Sequence, residues 1–172
     1  MLMLALVVLS SFLWTNPPKV DSSYKTQLEL RGYFSTQGKT PLWQRSLHYG
    51  QVPLESNTAV AIIKHEKTDN LKKDLAWKYT VEATAWGGKS TNFDLTQAYV
   101  SGRFKKWELW VGRRKEVYGV GDTTNTSGFY AWSGNAIPTP KIQLGTRDYI
   151  NLFNGWVGVH MTYSHGWMDN QG

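Results

Sequence analysis

Between Leu75 and Gly112 apolar and polar side chains alternate almost residue by residue. Leu75, Trp77, Tyr79, Val81, Ala83 and Ala85 fall on one face of an extended strand, and Lys78, Thr80, Glu82 and Thr84 fall on the other. A period of two is the pattern of a sheet with one oily and one wet face. The same alternation predicts strands over residues 24–36, 58–66, 75–86, 95–104, 107–113 and 148–161. In the last of these Phe153, Val157, Val159 and Met161 oppose Asn154, Trp156, Gly158 and His160. Short polar breaks at residues 67–73, at Gly87-Gly88 with Asn92, and at Lys105-Lys106 read as reversals, which makes consecutive strands antiparallel neighbours in a meander. The predicted fold class is therefore all-β.

Two stretches break the rhythm. Residues 37–57 carry Gly38, Pro41, Gly50 and Pro53 among Trp43, Leu47, His48 and Tyr49, which predicts a long, packed connection with short helical or irregular turns. Residues 115–146 are rich in Gly, Thr, Asn and Pro and stand out as a candidate site.

An alternating sheet belongs either to a soluble sandwich or to a barrel whose outside faces lipid. Met1 to Trp14 is nearly unbroken apolar sequence ending before Pro17-Pro18, which predicts an export signal over residues 1–18, although no Lys or Arg precedes Lys19. The stretch is short for an uncleaved anchor, which needs about 20 apolar residues. With no cysteine, neither disulfides nor thiolate metal sites hold the fold together. Export, strands near the roughly 9–11 residues of a tilted span, and Trp77, Trp86, Tyr99, Trp107 and Trp110 near strand ends favour the transmembrane reading. Lys78, Thr80, Glu82, Thr84, Gln97 and Arg103 then line a watered lumen. The six or so predicted strands fall below the roughly eight that close a barrel, so residues 58–172 read as an incomplete set, the amino-terminal portion of a longer barrel, following a first strand and connection in residues 19–57.

Candidate chemistry is sparse. His48, His65, His160 and His165 are scattered, and His160 and His165 point to opposite faces, a poor metal pair. Gly119-Val120-Gly121 lacks the helix of a phosphate-cradling loop, and no Gly-x-Ser-x-Gly occurs. The expectation is no enzyme, no metal and no cofactor. Arg113, Arg114 and Lys115 form a basic cluster suited to an acidic polymer, since a planar guanidinium matches carboxylate and phosphate; in an exported chain that means anionic polysaccharide or lipopolysaccharide phosphate rather than nucleic acid. Tyr118, Tyr130, Trp132, Asp122 and Asn135 are of the types that stack on and hydrogen-bond sugars.

The run Trp110-Val111-Gly112-Arg113, then Tyr118-Gly119, then Trp132 to Ile142 with its Asn135-Ala136-Ile137-Pro138-Thr139-Pro140 core, together with Thr40-Pro41-Leu42-Trp43, Tyr49-Gly50 and Val52-Pro53-Leu54 upstream, resembles the Wzi capsule-assembly family of outer-membrane proteins. The resemblance implies a large barrel in the outer membrane of a Gram-negative-type bacterium, plugged on its periplasmic side by a small helical element to which residues 37–57 would belong. It also implies a non-catalytic, lectin-like role in attaching capsular or other surface polysaccharide, acidic polymers included, with outer-membrane lipid as the other partner. A porin-type channel or an exported soluble β-sandwich acting on polysaccharide are the alternatives.

Overall fold

The computed structural model describes residues 22–36, 38–69, 74–117 and 134–167. The predicted signal and Tyr118, Asp122, Tyr130 and Trp132 lie outside the described residues.

The alternation becomes one antiparallel sheet. Strands β1 (Ser22–Tyr33), β2 (Thr58–Asp69), β3 (Leu75–Gly87), β4 (Thr91–Phe104), β5 (Trp107–Arg113), β6 (Lys141–Thr146) and β9 (Thr162–Gly166) lie side by side in that order. Between β6 and β9 a hairpin of β7 (Ile150–Leu152) and β8 (Val157–Val159) stands apart as a second, two-stranded sheet. The single strand expected over residues 148–161 is therefore wrong. Phe153 and Asn154 take positive φ values of 51° and 56° in the 3-10 turn Phe153–Gly155, and the chain reverses. An Asn-Gly pair between apolar runs is a hairpin signal, and it outweighs the alternation on either side. Within the 115–146 stretch read as one site, β6 is instead a strand pairing with β5 from Trp107↔Thr146 to Gly112↔Lys141. At Lys105-Lys106 the tight reversal is as expected, with Lys105 at φ 54°.

The two sides of the sheet are solvated in an unusual sense. On the side bearing Leu28, Ile63, Val81, Val100, Leu109 and Leu144 these side chains are exposed, from 43% to 52%. Among the described residues no second layer covers them: element contacts run only between neighbouring strands and within the β7–β8 hairpin. On the opposite side Thr80, Glu82, Thr84, Thr96, Gln97 and Ser101 are buried, together with Val60, Ile62, Ala76, Tyr99 and Trp110. A soluble sandwich would instead cover the aliphatic side. Each outer strand, β1 and β9, pairs on one edge only among the described residues.

The connection between β1 and β2 lies over part of the polar side, against β3 and the segment before β6. It holds one short helix, α1 (Leu42–Arg45), and an isolated bridge between Lys39 and Glu55. It is packed, as expected from its residues, but not through all its large side chains: Leu42 and Trp43 are mostly exposed, whereas Val52 is buried.

Candidate functional site

The polar side is organised around Glu82. Opposite Ala83, β4 carries two residues, Leu95 and Thr96, where the register slips between Glu82↔Gln97 and Thr84↔Asp94. This bulge sends Leu95 to the apolar side and turns Thr96 inward beside Gln97, as an extra residue in one strand does. The Thr96 hydroxyl donates to Glu82 Oε1 at 2.8 Å, Gln51 Nε2 donates to the same oxygen at 2.7 Å, and Lys115 forms an ion pair with it. Trp86 Nε1 donates to the Gln51 carbonyl at 2.7 Å, so the connection is fastened to β3 through one glutamine.

A second fastening involves the segment before β6. Tyr49 N–H donates to the Gly134 carbonyl at 2.7 Å, Leu47 N–H donates to Asn135 Oδ1 at 3.0 Å, and the Tyr49 hydroxyl donates to the Glu116 carbonyl at 3.1 Å. Burial foremost pushes the Tyr49 phenol upward, with Glu116 adding to it. Burial likewise pulls the Lys115 ammonium below the usual lysine range, while its hydrogen bond to Glu82 works the other way.

The basic cluster is divided between the two sides. Arg113 pairs with Ala98 in register, on the apolar side with Val111. Arg114 and Lys115 follow the end of β5 and both reach the polar side. Arg114 contacts Glu108 at 3.1 Å and lies over the rings of Tyr99 and Trp110, 5.3 and 5.5 Å from their centroids. Lys115 reaches Glu82 and the Tyr49 ring. Asn135, expected as a sugar contact, has its side-chain oxygen committed to Leu47 N–H.

Of the aromatics expected at strand ends for a membrane interface, Trp77 and Trp107 lie on the apolar side, but Trp86, Tyr99 and Trp110 lie on the polar side. Parity decides this: Trp110 opposes Ser101 and Gln143, and Tyr99 opposes Thr80. The apolar-side cluster that does form at a strand end joins Tyr24, His65, Trp77 and Tyr79, with Lys67 Nζ 3.8 Å from the Trp77 ring centroid. His65 is hydrogen-bonded to Thr26 at 2.8 Å and to Tyr79 at 3.1 Å. The polar side chains expected to line a watered lumen are also corrected in part. Thr80, Glu82, Thr84 and Gln97 are buried rather than wet, while Lys78 and Arg103 are partly exposed.

Clefts open among these residues. One of about 540 Å³ lies between the connection and the β3–β4 turn and includes Arg45, Glu55, Trp86, Asn92, Asp94 and Asn135. A second of about 350 Å³ contains Glu108, Arg114, Lys115, Glu116, Arg147 and His160. A third of about 230 Å³ contains Lys78, Ser101, Arg103, Glu108, Arg114 and Arg147. Among the described residues no group of three or more His, Cys, Asp or Glu is placed to hold a metal ion. Glu82, Glu108 and Glu116 each contact a cation, in Lys115, Arg114 and Lys141. Such an arrangement holds and orients charge.

Arg147 and His160 were missed in the sequence as cleft residues. Arg147 is set there by the pairing of β6 with β5 and by its own N–H bond to the Lys106 carbonyl at 2.9 Å, and His160 by the return of the chain after the β7–β8 hairpin. No protein-family model, curated protein or solved structure matches this chain.

Proposed function

We propose that this chain forms an arc of a non-catalytic outer-membrane β-barrel that helps attach or assemble surface polysaccharide, in the manner of the Wzi-like capsule-assembly proteins its sequence resembles. The observation that carries the membrane part is the exposed aliphatic side of the sheet, where valines, leucines and isoleucines stand uncovered among the described residues, while threonines, a glutamine and a glutamate are buried on the other side beside Val60, Ile62 and Trp110. Exposing that apolar side to water is unfavourable by about 25 cal/mol per Å², and acyl chains remove the cost.

The dimensions fit. From Trp77 to Gly87, β3 rises about 34 Å at ~3.4 Å per residue. Tilted by about 40°, it spans about 26 Å, close to the ~25 Å apolar band of outer-membrane barrels. The cluster of Tyr24, Trp77 and Tyr79 with Lys67 has the composition of a headgroup-level girdle, in which each ring keeps one apolar and one hydrated edge. The edges of β1 and β9 that have no strand partner among the described residues support closure by further strands, because a cylinder leaves no edge exposed to non-specific pairing. The polysaccharide part rests on the resemblance and on polar clefts built from cations, amides and aromatic rings.

Cell fractionation with and without the gene tests the reading. The full-length protein should sediment with outer membranes, and its deletion should release capsular polysaccharide into the medium. Recovery only from the soluble periplasm overturns the membrane assignment. Steady ion conductance in planar bilayers, with capsule retention unaffected by deletion, replaces the attachment role by that of a channel.

A further inference from the structure

The connection between β1 and β2 is built as a flap. Its base is closed: Lys39 and Glu55 form a bridge, Thr40 N–H donates to the Leu54 carbonyl at 2.8 Å, and Ser56 N–H donates to the Gly38 carbonyl at 3.3 Å. At the foot of that base lie two left-handed residues, Gly38 at φ 75° and Asn57 at φ 61°, the second directly before β2. A loop whose ends are pinned together moves as a unit, and the residues that turn are the few at its foot. Within the flap α1 buries none of its side chains, so the helix itself gives no grip on the sheet.

The grip is at the tip. Leu47 and Tyr49 take φ values of 60° and 50°, which bulky residues rarely adopt, and Gly50 beside them takes 75° at no steric cost. The segment before β6 holds them there: Leu47 N–H donates to Asn135 Oδ1 at 3.0 Å and Tyr49 N–H donates to the Gly134 carbonyl at 2.7 Å. The approach is close, since a Cβ on Gly50 would lie 2.9 Å from Ile137 Cγ1 and 3.2 Å from the Ile137 backbone nitrogen. Gln51 adds a latch to β3 through Glu82 and Trp86.

We propose that the connection is a hinged gate over the lumen, held shut by the clasp of residues 134–137 on residues 47–50 and turning about Gly38 and Asn57 when the clasp is released. The proposal rests on the barrel reading above, which supplies the lumen, and adds that its cover moves. The hydrogen bonds of the clasp and latch favour the shut arrangement. The backbone favours the open one, because Leu47 and Tyr49 then return to the negative φ of ordinary L residues. These opposed contributions give the connection two arrangements, as a gate requires.

Two variants of the full-length protein push the equilibrium in opposite directions. Gly50→Ala sets a methyl against Ile137 at a left-handed position and should open the gate; Leu47→Asn, which tolerates that conformation, should close it. Hydrogen exchange in detergent should show the Leu47 and Tyr49 amides losing about ten-fold in protection in Gly50→Ala, with β2 to β5 unaffected, and gaining protection in Leu47→Asn. In planar bilayers Gly50→Ala should raise the open fraction and Leu47→Asn should lower it. Unchanged tip protection in Gly50→Ala, or a loss spread through β2 to β5, overturns the proposal. Opening at the tip with no change in conductance, in protein recovered from outer membranes, overturns the gate while the barrel reading stands; recovery outside the membrane is the failure of that reading itself.

Discussion

Three single residues yield distinct expectations: Glu82, which holds the connection, Gly112, where β5 approaches β4, and His48 within the connection. Glu82 gathers Gln51, Thr96 and Lys115, so Glu82→Ala strands a mostly buried ammonium. With 21% of the Lys115 side chain still exposed, the loss should lie near the lower end for breaking a buried pair, about 3 kcal/mol in urea unfolding from detergent. Gly112 sits at φ 123°, where a Cβ would lie 2.1 Å from the Ala98 carbonyl oxygen. Gly112→Ala should cost more than the ~1–3 kcal/mol of a forced backbone and part β4 from β5, seen as lost amide protection in both strands. Burial is the largest influence holding the His48 imidazole below its ordinary value of 6.5; the Arg31 and Lys115 cations add to it and Glu29 opposes it. The fold then favours the neutral ring. Stability from His48 is complete above pH 6.5 and is lost as pH falls from there through the lower value of the folded state. Protection of the Tyr49 and Gln51 amides, corrected for the pH dependence of intrinsic exchange, should fall as pH drops below 6.5, and His48→Gln should flatten that dependence.

Strands are the scale at which the two sides can be told apart by experiment. Val100 lies mid-strand on the apolar side, exposed by 51%. At a watered surface Val100→Arg would change stability by no more than about 0.5 kcal/mol. Facing acyl chains near the middle of a bilayer it should cost about 2–4 kcal/mol, measured by reversible folding into phospholipid vesicles. A value near zero removes the lipid contact. Ser101→Ala, one residue along and on the buried polar side, tests the opposite face and should be mild in either solvent.

For the molecule as a whole, the open sheet and its covered polar side belong together. The connection between β1 and β2 lies over the side that a closed cylinder would turn inward, so it narrows whatever lumen the cylinder has. Deleting residues 40–55 should therefore raise conductance in planar bilayers if the barrel closes around them, whereas an unchanged baseline would place the connection outside the lumen.

Much of the sheet was legible in the residues alone, for a local reason. Alternation and short polar reversals act between chain neighbours, so β2, β3, β4 and β5 and their antiparallel order follow directly, with β5 matching residue for residue. The Asn154-Gly155 reversal is equally local, and in the folded chain it prevails over the alternation that by itself reads as one strand. What the pattern could not carry is which side meets solvent, because a period of two reads the same whichever side is buried. That was decided in three dimensions, by the bulge that turns Thr96 inward, by the parity that puts Trp110 on the polar side, and by the path after Gly112 that parts Arg113 from Arg114 and Lys115. The third cleft depends on those long-range placements too, since Lys78 and Arg147 are distant in sequence and meet only because strand pairing brings them to one side.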